Sequence, residues 1–209
     1  MKTIIEKLKD ILTELEAKEA EKKTCKKSNE NNRVLLSTLA AGQRFKTGIG
    51  NFIVLNHDET GTKVIQEDFF AEDVKFDENS PDYIQSDLKR LFDTTILGAY
   101  ENEFGTDNLI EHTVDLKSVD MQDYGQFTCK VRPITFDEVR EFNQYLVKPE
   151  LPDWWWTCTP WSTKERGWEY SVAVVSPLGG IGWSCYYNLN GVRPFCILKS
   201  NIFVSKVEE

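Results

Sequence analysis

Three consecutive tryptophans, Trp154–Trp156 in the stretch WWWTCTP, constrain this chain more than any other feature of its sequence. Neighbouring side chains point in different directions in a strand and in a helix, so three such rings cannot share one face of either element. Each buried tryptophan removes on the order of 150–250 Å² of surface from water. All six tryptophans of the 209-residue chain lie between Trp154 and Trp183. The last third of the chain therefore supplies a large core, a binding surface, or both.

The composition excludes several classes of protein. With 40% hydrophobic and 28% charged residues, the chain has the balance of an ordinary globular protein. No apolar run approaches the roughly 20 residues that a membrane-spanning helix needs, so we expect no membrane partner. The N-terminal stretch MKTIIEKLKDILTELEAK carries acidic residues within its apolar pattern and lacks the uninterrupted apolar region of a secretory signal. These features predict a protein that is not secreted by a signal peptide and stays in the cytosol.

Charge is unevenly distributed along the chain, whose formal net charge is −9. Residues 56–123 contain eighteen acidic residues and only five basic ones. A surface with this balance repels phosphates, so direct binding of nucleic acid is not expected. The acidic stretch fits either a basic protein partner or a solvated face that aids solubility.

The cysteines and histidines follow no disulfide or metal-binding pattern. The five cysteines are odd in number, no two form a CxxC pair, and the chain has only two histidines. This argues against a disulfide framework and a zinc site, and no calcium loop of the DxDxDG type is present. We therefore predict no metal and no cofactor, and thiols that act as small buried apolar groups. Whether Cys185 meets Cys196 across paired strands stays open at this level.

No catalytic signature is recognisable in the sequence. His57 and His112 adjoin no nucleophile motif such as GxSxG, and both fit ordinary surface histidines. The glycines of GGIG, residues 179–182, lack the lysine and the serine or threonine of a phosphate-binding loop, so we interpret them as a turn. The sequence therefore predicts a protein that is not an enzyme.

Residues 1–30 are predicted to form an N-terminal amphipathic helix and a polar linker. The apolar residues of its seam recur at spacings of four, three and four, which is typical of one helix face: Ile4, Leu8, Ile11 and Leu15. Two heptads are short of a convincing coiled coil. The segment 4–15 therefore either packs on the chain's own domain or forms a contact with a partner or with a second copy.

The middle of the chain indicates one hairpin and two helices. The hairpin spans residues 52–66, where two apolar runs flank a turn at Gly61. The first helix is predicted to be capped by Ser80 and to continue through SDLKRLF. The second is predicted to begin with a capping box, in which Thr135 and Glu138 satisfy each other's backbone.

The last third of the chain indicates short strands joined by tight turns. The strands are expected at SVAVV, WSCYY and VRPFCIL, separated by the turns PLGGIG and NLNG. Because proline cannot donate to a sheet ladder, Pro194 is expected to restrict the last strand to an edge or a bulge. Short strands with two helices earlier in the chain predict the α+β fold class.

A family resemblance enters with the motif WWWTCTP and the following VAVVSPLGGIGWSCYYNLNGVRPFCIL. Together they resemble the pattern "WWLRSP … GVRPAL" of a family of uncharacterised domains common in phages, prophages and gut Firmicutes. The segments GQRFKTGIGNFIVL and PITFDEVREFNQY also fit, so the resemblance covers roughly residues 40–204. Cys158 departs from the pattern, because it stands where the family has an arginine.

That family is in turn similar to the C-type-lectin-like fold of formylglycine-generating enzymes and of phage proteins diversified by retroelements. The resemblance implies a C-type-lectin-like domain over residues 34–205, with two helices, short twisted β-hairpins and a binding face on its C-terminal hairpins. It also implies a protein of a phage, a prophage or a gut bacterium, cytoplasmic in the bacterial host or carried on a phage particle.

The candidate binding residues come from the stretch between residues 151 and 194, which is rich in Trp, Tyr, Ser, Asn and Gly. Binding loops use this mixture, since aromatic side chains give a large contact area and small polar ones adapt their hydrogen bonds. We predict a ligand-binding surface for a protein or a glycan formed by Trp154, Trp156, Trp161, Lys164, Arg166, Trp168, Trp183, Tyr186, Tyr187, Asn188 and Asn190.

Individual roles within this stretch are also predicted. Trp155 is assigned to the core, and Trp161, which lies between turn-forming residues, is expected to be the most exposed tryptophan. Arg193 is expected to be structural and to tie the last strand to an acid or to carbonyl groups. Two other functions stay open: a small phage-encoded inhibitor of a bacterial defence protein that acts through its acidic surface, and an enzyme related to formylglycine-generating oxidases.

Overall fold

A computed structural model describes residues 33–207, which form a mixed α+β fold dominated by β-strands. The helices are α1 (Asp87–Leu91), α2 (Leu97–Phe104) and α3 (Phe136–Leu146), and a π-helical turn (Phe92–Ile96) joins α1 to α2. The strands are β1 (Arg33–Leu35), β2 (Arg44–Thr47), β3 (Gly50–Asp58), β4 (Gly61–Gln66), β5 (Ala71–Lys75), β6 (His112–Lys117), β7 (Asp123–Cys129), β8 (Val131–Pro133), β9 (Trp155–Pro160), β10 (Ser171–Val175), β11 (Ile181–Cys185), β12 (Leu189–Val192), β13 (Pro194–Leu198) and β14 (Phe203–Lys206). None of the helices in this range has both the length and the apolar character that crossing a bilayer requires. The predicted helix and linker over residues 1–30 lie outside the described residues.

The strands are arranged in three sheets. One sheet has seven strands in the order β1-β14-β2-β3-β4-β13-β8, and the second has five in the order β11-β10-β9-β12-β5. Strands β6 and β7 form a separate antiparallel hairpin. The first and last described strands, β1 and β14, pair with each other, so the two ends of the described chain lie side by side.

Strand β9 is buried on both faces, which explains how consecutive tryptophans fit into a strand. Trp155 and Trp156 alternate across the sheet, and each is 0% exposed. Trp155 packs into the cluster around Phe142 on helix α3, and Trp156 packs into the larger cluster around Phe76. The predicted core position of Trp155 is therefore confirmed.

Local signals in the sequence account for several elements. The hairpin around Gly61 is confirmed as β3 and β4, which pair antiparallel. Helix α3 begins with the predicted capping box: the side chain of Thr135 accepts from the backbone of Glu138, and Glu138 accepts from the backbone of Thr135. Its buried face consists of Val139, Phe142 and Leu146.

Several local predictions are wrong. Ile181 and Gly182, predicted as turn, begin strand β11, and the predicted turn NLNG lies mostly in strand β12. The first helix is capped by Ser86 rather than by Ser80, since the side chain of Ser86 accepts from the backbone of Lys89. Strand β13 lies between β4 and β8 and is not an edge strand. The sheet tolerates Pro194 because this residue is the first of its strand and faces Pro133, the last residue of β8.

Helix α3 is fixed to the seven-stranded sheet by a buried ion pair. Arg132 on β8 is 3% exposed, and its Nη1 and Nη2 donate to the two carboxylate oxygens of Glu138 at 2.7 and 2.6 Å. The Nε–H of Arg132 donates to Nε2 of His112 at 3.0 Å, and its guanidinium lies over the ring of Phe195. Because both charges are withdrawn from water, each depends on the other for compensation.

We predict that Glu138→Gln lowers the free energy of unfolding by about 3–5 kcal/mol, because it leaves the buried Arg132 charge uncompensated. The matched control is Asp137→Asn on the same helical turn, where the side chain is 75% exposed and its pair with Arg140 is solvated. That control is expected to change stability by less than about 0.5 kcal/mol. Urea denaturation of both variants measures the difference, and equal losses would contradict the assignment.

The Arg132–Glu138 ion pair makes the stability of the protein depend on pH. Burial raises the pKa of Glu138, but the charge and hydrogen bonds of Arg132 outweigh it and hold the pKa at about 2, below the ordinary 4.5. A lowered pKa in the folded state stabilises the protein above pH 4.5, and the stabilisation is lost as the pH falls towards 2. The stability difference between wild type and Glu138→Gln should therefore narrow over this window.

Candidate functional site

The candidate site is built around β11, the edge strand of the five-stranded sheet. Strand β11 pairs antiparallel with β10, with Ala173 opposite Trp183 and Val174 opposite Gly182. The turn between the two strands spans residues 176–180 and is closed by the Ser176 N–H, which donates to the Gly180 carbonyl at 2.8 Å. This places GGIG partly in a turn and partly in a strand. Because side chains alternate along β11, successive residues of this strand point to opposite faces of the sheet.

One face of β11 carries a row of three tryptophans. The Trp183 ring meets the Trp168 ring at 5.6 Å between centroids with an interplanar angle of 69°. Trp168 in turn contacts Trp161 at 6.2 Å. Both distances lie within the range of favourable aromatic pairs. The loop between β9 and β10 therefore folds over the sheet and brings two of its tryptophans to the third.

The other face carries a tryptophan and a row of tyrosines. The ring of Trp154 covers Gly182, where a side chain would meet the ring carbons at 3.0–3.2 Å. Tyr186 continues the strand on the same side, and its ring contacts Tyr170 at 5.9 Å and Tyr187 at 5.4 Å. A side chain at position 182 would therefore press against the Trp154 ring. Aromatic side chains consequently flank β11 on both faces.

Five of these aromatic side chains are substantially exposed to solvent. The exposed fraction is 38% for both Trp154 and Trp168, and about half for each of Tyr170, Trp183 and Tyr187. We call these five residues the β11 aromatic surface. Large apolar patches on the surface of a globular domain mark interaction sites more often than they arise without function.

The loop that carries Trp161 and Trp168 is held by Asp120, in the turn between β6 and β7. Its carboxylate accepts from the hydroxyl of Ser162 at 2.6 Å and from Nη1 of Arg166 at 2.5 Å. Partial desolvation raises the pKa of Asp120, but hydrogen bonds from Ser118, Ser162 and Arg166 outweigh it and lower the pKa to about 2. Asp120 is therefore a charged anchor across the physiological pH range.

A shallow cleft adjoins the tyrosine side of the surface. The cleft with Tyr124, Tyr170 and Tyr186 in its wall measures about 320 Å³ and also contains Lys164 and Glu169. The ammonium group of Lys164 lies 3.6 Å from the Glu169 carboxylate. Tyr124 ties the wall of this cleft to the loop between β9 and β10, since its hydroxyl donates to the Ser162 carbonyl at 2.6 Å.

Several predicted site residues are not on this surface. Trp156 is fully buried, and its Nε1–H donates to the Val74 carbonyl at 2.7 Å, so it belongs to the core and is not available to a ligand at the surface. Tyr186 and Asn190 are 7% and 6% exposed. Trp161 is half-buried and is not the most exposed tryptophan, a position that belongs to Trp183.

The remaining predicted residues lie at the surface or support it. Lys164, Arg166 and Asn188 are exposed. Asn188 and the buried Asn190 both donate from their amide nitrogens to the Ser184 hydroxyl, at 3.2 and 3.1 Å, and so fix the turn after β11. Tyr170 also belongs to this surface, although it is not among the residues predicted from the sequence. Its position one residue before the strand SVAVV is the signal that would have placed it opposite Tyr186.

The buried thiol and histidine groups do not form an activated nucleophile. Cys129 Sγ lies 3.8 Å from His112 Nε2, but that nitrogen already accepts from Arg132. Burial and the charge of Arg132 lower the pKa of His112 to about 4, and burial raises the pKa of Cys129 to about 11 and that of Cys158 to about 12. A thiol with so high a pKa is a poor nucleophile at neutral pH.

Comparisons with known proteins add no relative. No family model, curated protein or solved structure shows significant similarity to this chain. Within residues 33–207, no group of three or more His, Cys, Asp or Glu side chains is arranged to hold a metal ion. The four cysteines of this range are all free thiols. The site is therefore defined by its exposed aromatic side chains and the polar groups that hold them.

We predict that Asp120→Asn loosens the loop between β9 and β10, because it removes the charge that holds Arg166. Trypsin, which cleaves after Lys164 and Arg166, should then cut this loop at least several-fold faster than in wild type. Asp115→Asn on the neighbouring strand β6 is the matched control, since that exposed carboxylate accepts from Gln126 and from no other side chain among residues 33–207. Mass spectrometry of timed digests gives the cleavage rates, and an unchanged rate at both sites would argue against the anchor.

Proposed function

We propose that this protein is a non-enzymatic recognition domain, carried by a phage or another mobile element, that binds a protein or a glycan through the β11 aromatic surface. The observation that carries the proposal is the exposure of five aromatic side chains around one edge strand. Tryptophan and tyrosine dominate binding hot spots, because they bury a large area at a small cost in side-chain entropy. The polar side chains of Asn188, next to Tyr187, and of Lys164 are exposed and are available for directional contacts with a ligand.

We further propose that the domain has C-type-lectin-like architecture. Two features support this: helices α1, α2 and α3 precede the C-terminal hairpins, and those hairpins carry the aromatic surface. A binding face on C-terminal hairpins is what the sequence resemblance implies.

The oxidase alternative has less support than recognition. Cys185 lies on β11 in the five-stranded sheet, whereas Cys196 lies on β13 in the seven-stranded sheet. Burial raises the pKa of Cys196 far above its ordinary value. A pair of close, reactive thiols is what such an enzyme needs, and this separation does not favour it.

The inhibitor alternative, which acts through the acidic stretch, also has less support. Several of its carboxylates are paired with cations of the same chain: Asp58 with Lys63, Asp68 with Lys148, and Asp93 with Lys89. These pairs reduce the field that would attract a basic partner. The aromatic surface has no comparable internal partner within the described residues and is therefore the stronger candidate.

We predict that the double substitution Trp183→Ala and Tyr187→Ala weakens ligand binding at least tenfold, since each residue is of a hot-spot type. The ligand is sought by capture from lysate of a gut bacterium and on a glycan array, with the wild-type protein as bait. Phe203→Ala is the matched control, because this residue is 59% exposed on β14, in the other sheet.

Both variants should keep the thermal midpoint of the wild type within a few degrees, because the substituted side chains are about half exposed. Equal binding by the double variant and by the wild type would overturn the proposed surface. A loss of binding by Phe203→Ala as well would show that the contact is not confined to the β11 aromatic surface.

A further inference from the structure

We propose that the ligand of the β11 aromatic surface is an extended peptide segment of a partner protein, rich in arginine or lysine, which adds to the five-stranded sheet as a new strand beside β11. This inference rests on the proposed recognition function and specifies the kind of partner. It follows from the hydrogen-bonding groups of the edge strand, from the lack of edge protection there, and from the charges around it.

The pairing of β11 with β10 leaves alternate backbone groups directed outward. The Ser176 N–H donates to the Gly180 carbonyl and the Tyr186 N–H donates to the Tyr170 carbonyl, which identifies these two as hydrogen-bonded pairs. In an antiparallel ladder, such pairs alternate with non-bonded pairs. Gly182 and Ser184 therefore bond to β10, whereas residues 181, 183 and 185 present their N–H and C=O groups to the open side.

These outward groups have few partners within the described part of the chain. The carbonyl of Cys185 accepts from the Asn188 N–H at 2.9 Å. The N–H and C=O groups of Ile181 and Trp183 make no such bond to residues 33–207. Each of these residues is at least partly exposed. A row of donors and acceptors at two-residue spacing is complementary to the backbone of another strand.

The other edge of the same sheet is protected, but β11 is not. Strand β5 carries the charged residues Glu72, Asp73 and Lys75, Asp73 has a positive φ of 53°, and the pairing with β12 shifts register. Charges and irregularities of this kind discourage strand addition. Strand β11 has the sequence IGWSC, without charge or proline, and pairs with β10 in regular register. Its edge is therefore open to an added strand.

The aromatic side chains are placed to hold such a strand from both faces. Trp183 and Trp168 lie on one face of β11, and Trp154 lies on the other, against Gly182. A strand added at about 4.8 Å from β11 would place its alternate side chains beside these rings. Backbone pairing and side-chain contact would thus occur together, as in other cases of peptide addition to a sheet edge.

The charges around the surface favour a basic peptide. Its two cations are already paired, Lys164 with Glu169 at 3.6 Å and Arg166 with Asp120 at 2.5 Å. The exposed carboxylates of Asp153, next to Trp154, and of Glu165, between Lys164 and Arg166, form no salt bridge among residues 33–207. Arginine and lysine side chains also bind favourably over the faces of tryptophan and tyrosine rings. An extended segment with a basic residue at every second position could pair with the carboxylates and also contact the aromatic rings.

In the first experiment, the full-length protein is titrated with a hexapeptide of alternating arginine and valine whose two ends are blocked. The tryptophan fluorescence of the protein, recorded during this titration, should show saturable binding of the peptide. Two further peptides carry N-methyl groups on alternate amides, one set on the arginines and the other on the valines. Because only alternate residues of an added strand bond to β11, one methylated peptide should bind at least tenfold more weakly and the other within about twofold of the parent.

Amide hydrogen exchange locates the contact. On addition of the parent peptide, exchange should slow at the amides of Ile181, Trp183 and Cys185, and should change little at Gly182 and Ser184, which already bond to β10. No binding at millimolar peptide, equal binding of both methylated peptides, or protection without this alternation would each overturn strand addition.

The outcomes separate this inference from the proposed function. If the hexapeptide fails to bind while the double substitution Trp183→Ala and Tyr187→Ala still abolishes ligand capture, the aromatic surface recognises a ligand, for example a glycan, without adding a strand. If that double variant captures its ligand normally, the proposed function itself fails. Alternating protection by the peptide together with loss of capture in the double variant supports both.

Discussion

Trp155 and Trp156 leave strand β9 on opposite sides, and the two hydrophobic clusters of the domain lie on either side of that strand. Because both rings are fully buried, each face of β9 needs a cover that comes from elsewhere in the chain. Helix α3 covers one face, and the region of Phe76 covers the other. Arg193 connects Trp155 to strand β4 and helix α3. Its guanidinium lies over the Trp155 ring and donates to the carbonyls of Gln66 and Leu146.

The position of β9 inside its sheet determines where the surface forms. Strand β9 is the middle strand of five: β12 and the charged edge strand β5 lie on one side, and β10 and the uncharged edge strand β11 lie on the other. The loop between β9 and β10 lies on the β11 side of the sheet, and it brings Trp168 to Trp183. Burial of two tryptophans and exposure of three others are therefore consequences of one sheet order.

The elements that the sequence predicted well depend on neighbours in the chain. The capping box of α3 needs only Thr135 and Glu138, and the β10–β11 hairpin needs only a turn between two apolar runs. The burial of individual tryptophans depends on distant partners. Trp154 and Trp156 point to the same face, yet Trp156 is covered because its indole bonds to Val74, 82 residues away, whereas Trp154 lies beside the edge strand. No periodicity in the sequence separates these two environments. The charged residues of β5 are visible in the sequence, but nothing in the sequence indicates that this strand lies at the far edge of the sheet.

Anchoring of the surface explains how exposed aromatic side chains can favour binding. A ligand that has to order mobile side chains loses about 0.5–1.5 kcal/mol for each one, and this loss is avoided where the rings are already held. Trp183 is fixed by its strand, and Trp168 by a loop that Asp120 holds through Ser162 and Arg166. Asp120 belongs to the acidic stretch 56–123, so part of that charge positions the aromatic loop and is not free to attract a partner. The acidic composition and the tryptophan cluster are thus parts of one arrangement, in which a carboxylate on the β6–β7 turn keeps a binding loop in place.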